Sequence, residues 1–409
     1  MTISRTFLFV AILTASLPAQ THWTGTWATA PSPQLDAEAM RAQKLEFHNQ
    51  TLRQIVRTSI GGDTVRVRLS NAFGPKPVEI GAAHLARRDA GATVVAGSDR
   101  TLTFSGRPRI EIPAGAVVLS DPVKLDVPAD GDLAISLYLP KPVLGAGVHY
   151  SAQQTSYIAT GDATAAATLA SPDTFTSWAF LTGVDVLAPE SAGTIVAFGD
   201  SITDGARSTI DGNHRWPNTL ATRLLARKTG PKLAVVDLGI GGNRILHEGA
   251  ASKRPQFGIN ALARFDSDVL AQPGVKYLMI LEGINDIGHA GSSAPVEETV
   301  TAEDIIAGLT QMIERAHQRG IKVIGATLTP FEGEANIKRG YWTPAKAKVR
   351  DAVNAWIRRG QGFVDFDQAV RDPAAPNKLN PAYDSGDQLH PSDAGYHAMG
   401  GAIDLGLFK

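Results

Sequence analysis

The sequence predicts an all-β sandwich, jelly-roll-like, over residues 21–189, followed over residues 190–409 by an α/β domain built on a parallel sheet. Three observations predict it. In the first part apolar and polar side chains alternate with period two, the mark of half-buried strands. Turn signals at Gly61-Gly62, Gly74-Pro75, Gly91, Gly106, Pro113-Ala114-Gly115 and Asp130-Gly131 punctuate that part at sandwich-like spacing. In the second part short apolar runs alternate with helical patterns, as parallel strands and their crossovers require.

Residues Met1 to Gln20 hold one arginine, Arg5, an apolar stretch from Phe7 to Leu17, and then Pro18-Ala19-Gln20. This pattern reads as a secretory signal peptide cut after Ala19, too short to span a bilayer. Export to the periplasm or the medium is therefore expected. No later run is apolar and long enough for a membrane helix, so no integral membrane association is expected. The chain has no cysteine. Disulfides and thiolate chemistry are excluded.

In the first part Val65, Val67 and Leu69 face one way while Arg66, Arg68 and Ser70 face the other, and Leu133, Ile135, Leu137 and Leu139 repeat the pattern. Arg66, Arg68 and the pair Arg87-Arg88 are accordingly expected on the solvent side of strands. Phe180 to Leu187 supplies a last strand, and the boundary falls near Glu190 to Gly193. Trp23, Trp27, Phe73 and Tyr150 are the aromatics able to stack on sugars, although large aromatics more often pack inside a domain or between domains.

The second part contains strands at Thr194 to Phe198, Val235 to Leu238, Tyr277 to Leu281, Lys322 to Ala326 and Gly362 to Asp365. Helices are expected from Trp216-Pro217, with Leu220, Leu224 and Leu225 inward, and near Ala302 to Arg319 and Pro344 to Arg359. A final helix is expected from Pro391 to Leu407, with proline in its first turn.

Four short blocks fall at the ends of these elements. Gly199-Asp200-Ser201 follows the first strand, so Ser201 sits at a strand's carboxyl end, where open α/β sheets place their ligands. A serine hydroxyl needs a base within reach and a third group to orient that base. Asp387 and His390 supply both, three residues apart on a tight loop or one helical turn. Gly242, in a glycine-rich turn after the second strand, offers a backbone N–H, and Asn285, just past the third, offers a side-chain amide. These two are the candidate donors for a developing oxyanion. Taken singly, each residue is more often a cap or a turn. Taken together, in order and each behind a strand, they point to nucleophilic acyl transfer.

These blocks resemble those of the SGNH hydrolases, the GDSL esterases and lipases. Gly199-Asp200-Ser201-Ile202-Thr203-Asp204-Gly205 is similar to the nucleophile block, Gly242 to the oxyanion glycine, Gly283-x-Asn285-Asp286 to the asparagine block and Asp387-x-x-His390 to the last one. The resemblance covers about residues 190 to 409. It implies a flavodoxin-like three-layer α/β/α domain, a triad of Ser201, His390 and Asp387, and an oxyanion hole from Ser201, Gly242 and Asn285. Less specifically, Leu52 to Arg57 through Asn71 to Gly74 resembles the region preceding the hydrolase domain in secreted bacterial GDSL proteins.

Basic and acidic residues number 39 and 40, a net charge of −1, which argues against a nucleic-acid partner. Histidines such as His84, His149 and His317 lack metal-ligand spacing, and neither metal nor cofactor is expected. The expected substrate is a small-molecule or polysaccharide ester, with short-chain and carbohydrate O-acetyl esters favoured. A lipase or lysophospholipase is the alternative, and an inactive carbohydrate-binding protein the second.

Overall fold

The computed structural model describes residues 21–249, 253–360 and 362–409. The predicted signal peptide lies outside them. Among the described residues no helix is long and apolar enough to cross a membrane.

Two large antiparallel sheets, with two small two-stranded ones beside them, make up the first region. One orders its strands Thr21–Ala28, Leu181–Pro189, Gly62–Ser70, Val123–Val127, with Val117–Leu119 also pairing to Gly62–Ser70. The other runs Asp173–Phe175, Ser156–Thr160, Gln50–Thr58, Gly131–Leu139, Ala82–Arg87, Arg100–Thr101. Val65, Val67 and Leu69 from the first sheet share one core with Leu52, Leu133, Ile135 and Leu137 from the second. The period-two alternation is what allows each strand to give one face to that core.

The opposite face is not solvent, and here the sequence reading needs correcting. Arg66 and Arg68 both bind Asp185, at 2.9 and 3.1 Å, and Asp185 is fully buried. Arg68 also reaches Gln272 at 3.2 Å, in the second region. Arg66 lies 4.3 Å over the ring of Trp23. Alternation shows which residues share a face; it does not show that another part of the chain covers that face. Arg88 is likewise mostly buried, against Asp132, while Arg87 lies nearer the surface.

The second region is a five-stranded parallel sheet in the order Leu233–Gly239, Gly193–Gly199, Val275–Leu281, Lys322–Ala326, Phe363–Val364. With the strands counted along the chain this order is 2-1-3-4-5, the doubly wound arrangement whose ligand site lies where the order reverses. All seven residues of Gly193–Gly199 are buried, as expected for a strand covered on both faces. Helices Trp216–Ala226 and Asp393–Ala402 pack together, as do Ala302–His317 and Pro344–Ile357. Right-handed crossovers in the two directions put these pairs on opposite faces of the sheet. Ala302–His317 begins with a capping box between Thr301 and Asp304.

The last helix differs from expectation. It spans Asp393–Ala402, its N-cap is Ser392, and Pro391 instead forms an isolated bridge with Asp384. The serine side chain accepts the Gly395 N–H, which a proline in the first turn does not provide.

The two regions are fastened along the edge strand of the parallel sheet. Strand Thr21–Ala28 packs against Leu233–Gly239, and Ser59 Oγ accepts the Val235 N–H at 3.0 Å. Ala28 and Ala30 enter the core of the second region, while Ala234 enters that of the first. The β-region thus covers a sheet edge that would otherwise expose unpaired backbone groups. Trp27 is buried here, edge-on to Trp178 with centroids 4.9 Å apart. Of the four aromatics singled out in the sequence, Phe73 alone is exposed, at 37%.

Candidate active site

Strand Gly193–Gly199 delivers Ser201 as the first residue of a one-turn helix, Ser201–Asp204, whose N-cap Asp200 accepts the Ile202 N–H at 2.9 Å. The turn ends at Gly205, with φ +78°, where an added Cβ would lie 2.2 Å from Arg215. No other residue fits that combination of backbone and space. Ser201 is consequently fixed at the carboxyl end of strand Gly193–Gly199, beside the edge strand.

His390 Nε2 lies 2.9 Å from Ser201 Oγ, and His390 Nδ1 lies 2.7 Å from Asp387 Oδ2. The other Asp387 oxygen accepts the N–H groups of Leu389 and His390 at 3.0 and 2.8 Å. Gln388, with φ +61°, turns the backbone back so that the three-residue spacing closes as a loop rather than a helix. Burial works to raise the Asp387 pKa, but the hydrogen bonds and charge of His390 and the backbone N–H donors outweigh it. Asp387 is held well below the usual carboxylate range and stays ionised. Arg207 Nε approaches the same carboxylate at 3.3 Å.

Gly242 and Asn285 line the same cleft as Ser201, Asp387 and His390, a space of about 420 Å³. Gly242 has φ +78°, and a Cβ there would stand 2.4 Å from the Phe257 ring. The Asn285 amide is held at both ends. Its Oδ1 accepts the Tyr341 hydroxyl proton at 2.8 Å, and one Nδ2 hydrogen goes to Asn243 O at 3.0 Å. That fixes which end of the amide is the donor and leaves its second hydrogen for a ligand. The structure therefore brings together all five residues singled out in the sequence.

Sequence reasoning missed the groups that hold them. Tyr341 is buried, its hydroxyl pKa is pushed up by burial, and it therefore remains a donor. It fits because Gly288 gives way: a Cβ there would lie 2.2 Å from the Tyr341 ring. Asp286 accepts the N–H groups of Ile245 and Leu246 at 2.8 and 3.0 Å, anchoring the chain after Gly242. Arg264 donates to Gly199 O, Leu238 O and Asn243 Oδ1 at 2.9, 2.8 and 2.8 Å. It ties two strand ends to the glycine turn. The only sequence signal for Asp286 was its place in the asparagine block, and Arg264 and Tyr341 carried none.

Behind Ser201 lies a group of buried acids. Burial pushes Asp200 up to about 7 and Asp286 up to about 6, and raises Glu282 well above its ordinary value. Burial disfavours their charged forms, so each takes up a proton at a higher pH than an exposed carboxylate does.

The β-region reaches this turn directly. His149 Nε2 lies 2.9 Å from Asp204 Oδ1, and His149 Nδ1 lies 3.0 Å from Ala30 O. Each ring nitrogen thus faces an oxygen, an arrangement that favours the doubly protonated ring. Burial opposes that charge, but Asp204 outweighs it and the His149 pKa is raised. Arg215, whose Nε donates to Asp204 O at 2.6 Å, also bonds to Ala152 O.

The family model for the GDSL-like lipase/acylhydrolase family matches residues 197–398. Solved structures similar to the chain include a GDSL-like lipase from Bacteroides thetaiotaomicron VPI-5482, 23% identical over 52% of this chain and 87% of its own, TM-score 0.35. An acetylxylan esterase from Geobacillus stearothermophilus is 23% identical over 51% of this chain and 91% of its own, TM-score 0.38. An α/β hydrolase from the metagenome of Lake Arreo, Spain, is 22% identical over 51% of this chain and 92% of its own, TM-score 0.38. No curated protein matches the chain. The chain thus carries, over residues 197–398, a GDSL-like lipase/acylhydrolase domain of the SGNH superfamily, and it is a hydrolase that acts on esters.

Proposed function

We propose that the chain is a secreted serine esterase that hydrolyses short-chain acyl esters, with carbohydrate O-acetyl groups as its natural substrate class. The observation that carries this reading is the line from Ser201 Oγ to His390 Nε2, 2.9 Å, and from His390 Nδ1 to Asp387, 2.7 Å. In this reading Asp387 holds the tautomer with hydrogen on Nδ1, leaving Nε2 to take the Ser201 proton as Oγ attacks the ester carbonyl. The oxyanion is received by the N–H groups of Ser201 and Gly242 and the free Nδ2 hydrogen of Asn285. His390 then returns the proton to the leaving alcohol. Water, deprotonated by the same imidazole, cleaves the acyl-enzyme and regenerates Ser201. Residues 21–189 form a sandwich domain, and residues 190–409 the hydrolase domain, in the same proposal.

Support for a short acyl group comes from the rings beside Asn285. Phe257 and His289 lie with centroids 5.4 Å apart, and Tyr341 stands edge-on to His289 at 5.6 Å. All three rings line the cleft beside Asn285. Initial rates on p-nitrophenyl acetate, butyrate and octanoate test the point: kcat/KM is expected to fall as the chain lengthens. A preference for octanoate would favour the lipase alternative.

Asn285→Ala is expected to lower kcat by about 10²- to 10³-fold, the cost of removing one oxyanion donor elsewhere. Tyr341→Phe leaves the amide free to rotate and should reproduce part of that loss with KM little changed. A parental rate in Asn285→Ala would remove this residue from the oxyanion hole.

A further inference from the structure

We propose that the cleft selects esters whose alcohol part carries a carboxylate, such as acetylated polysaccharides of uronic acids. The proposal rests on the serine-esterase reading and adds the charge of the substrate to it. Three guanidinium groups, those of Arg207, Arg254 and Arg339, line the cleft that holds Ser201. Among the described residues its only carboxylate is Asp387, and that group is already committed to His390 and Arg207.

Arg254 and Arg339 are the informative pair. The Arg254 guanidinium lies 5.4 Å over the Phe257 ring, and that of Arg339 lies 4.5 Å over Tyr341. Arg339 also donates to Asn336 Oδ1 at 2.7 Å. Both arginines are exposed, and among the described residues neither has a carboxylate partner. With three guanidinium groups against one carboxylate, the charged side chains that line the catalytic mouth carry a positive balance.

The chemistry of these groups fits a carboxylate. A guanidinium presents two parallel N–H donors that match the two oxygens, and stacking on an aromatic ring fixes its plane. A neutral acetyl group gains nothing from such charge. The alcohol part, which must extend toward the open rim, is where an anion would meet it. His289, between Phe257 and Tyr341, is held neutral: burial first, then the charges of Arg244, Arg339, Arg254 and Lys346, push it down to about 3. It does not compete as a cation.

The test compares acetylated polygalacturonate with acetylated dextran at matched acetyl content, in low and high salt, with p-nitrophenyl acetate alongside. At low salt kcat/KM per acetyl group is expected to be at least about tenfold higher on polygalacturonate, the scale of one charge-assisted contact. Salt should shrink that ratio, because the arginines are exposed. In Arg254→Gln/Arg339→Gln the ratio should approach one, chiefly through KM, since these groups stand away from the reacting atoms. Equal or lower kcat/KM on polygalacturonate, or a ratio the double variant leaves intact, would overturn the proposal alone. Failure to hydrolyse p-nitrophenyl acetate above the Ser201→Ala level would overturn the esterase reading, and the proposal with it.

Discussion

Ser201→Ala is expected to lower kcat on p-nitrophenyl acetate by on the order of 10⁶-fold, the loss seen when a serine hydrolase is deprived of its nucleophile. The size follows from the mechanism, since without Oγ no acyl-enzyme forms and only water attack in the oxyanion hole remains. Stability should change little. Ser201 is 8% exposed and small, and its removal opens no cavity worth the name. Loss of activity with an unchanged unfolding transition separates a chemical role from a structural one. A variant retaining more than a few per cent of the parental kcat would mean that another group attacks the ester.

The largest expected effect on stability comes from the other domain. His149→Ala leaves Asp204 buried without its cationic partner, and breaking a buried pair from one side costs about 3–5 kcal/mol. Both partners are almost fully buried, with side chains 3% and 4% exposed. The pH dependence has a definite sign. The His149 pKa is raised in the folded state, so the stability it contributes is complete below the ordinary histidine value and is lost as pH rises through the raised one. Asp237, Arg215 and Tyr396 also face this pair, and burial pushes Asp237 up to about 7, which acts in the same direction. Denaturant unfolding of the parent and of His149→Ala across neutral to alkaline pH should therefore show a stability difference that narrows as pH rises. A difference below about 1 kcal/mol at neutral pH, far under the cost of an orphaned buried charge, would contradict the ion-pair assignment. Because Asp204 sits in the same turn as Ser201, the variant is also expected to lose activity.

How far this was readable in the sequence depends on the range of the interaction. Five parallel strands were legible because each is a short apolar run ending at a turn, and Lys322–Ala326 was placed to the residue. The residues meeting in the cleft were legible for the same reason: they follow strand ends, and strand order brings those ends together. Tyr341 was not, since its bond to Asn285 spans 56 positions and obeys no period. His149 was set aside as a histidine without metal spacing, and its partner lies 55 positions away, beside Ser201. Arg66 and Arg68 were misread because alternation is silent on what covers the second face of a sheet. Pro391 failed as a helix start because Ser392 supplies a better cap.

The most direct test of the central claim is to trap the acyl-enzyme. The protein is mixed with p-nitrophenyl acetate, quenched in acid during the first turnovers and examined by intact and peptide mass spectrometry. The account predicts one added acetyl group, on the peptide carrying Ser201, absent from Ser201→Ala and enriched in Asn285→Ala only if deacylation is slowed more than acylation. An acetyl group on another residue that turns over at the catalytic rate, with Ser201 unmodified, would contradict it.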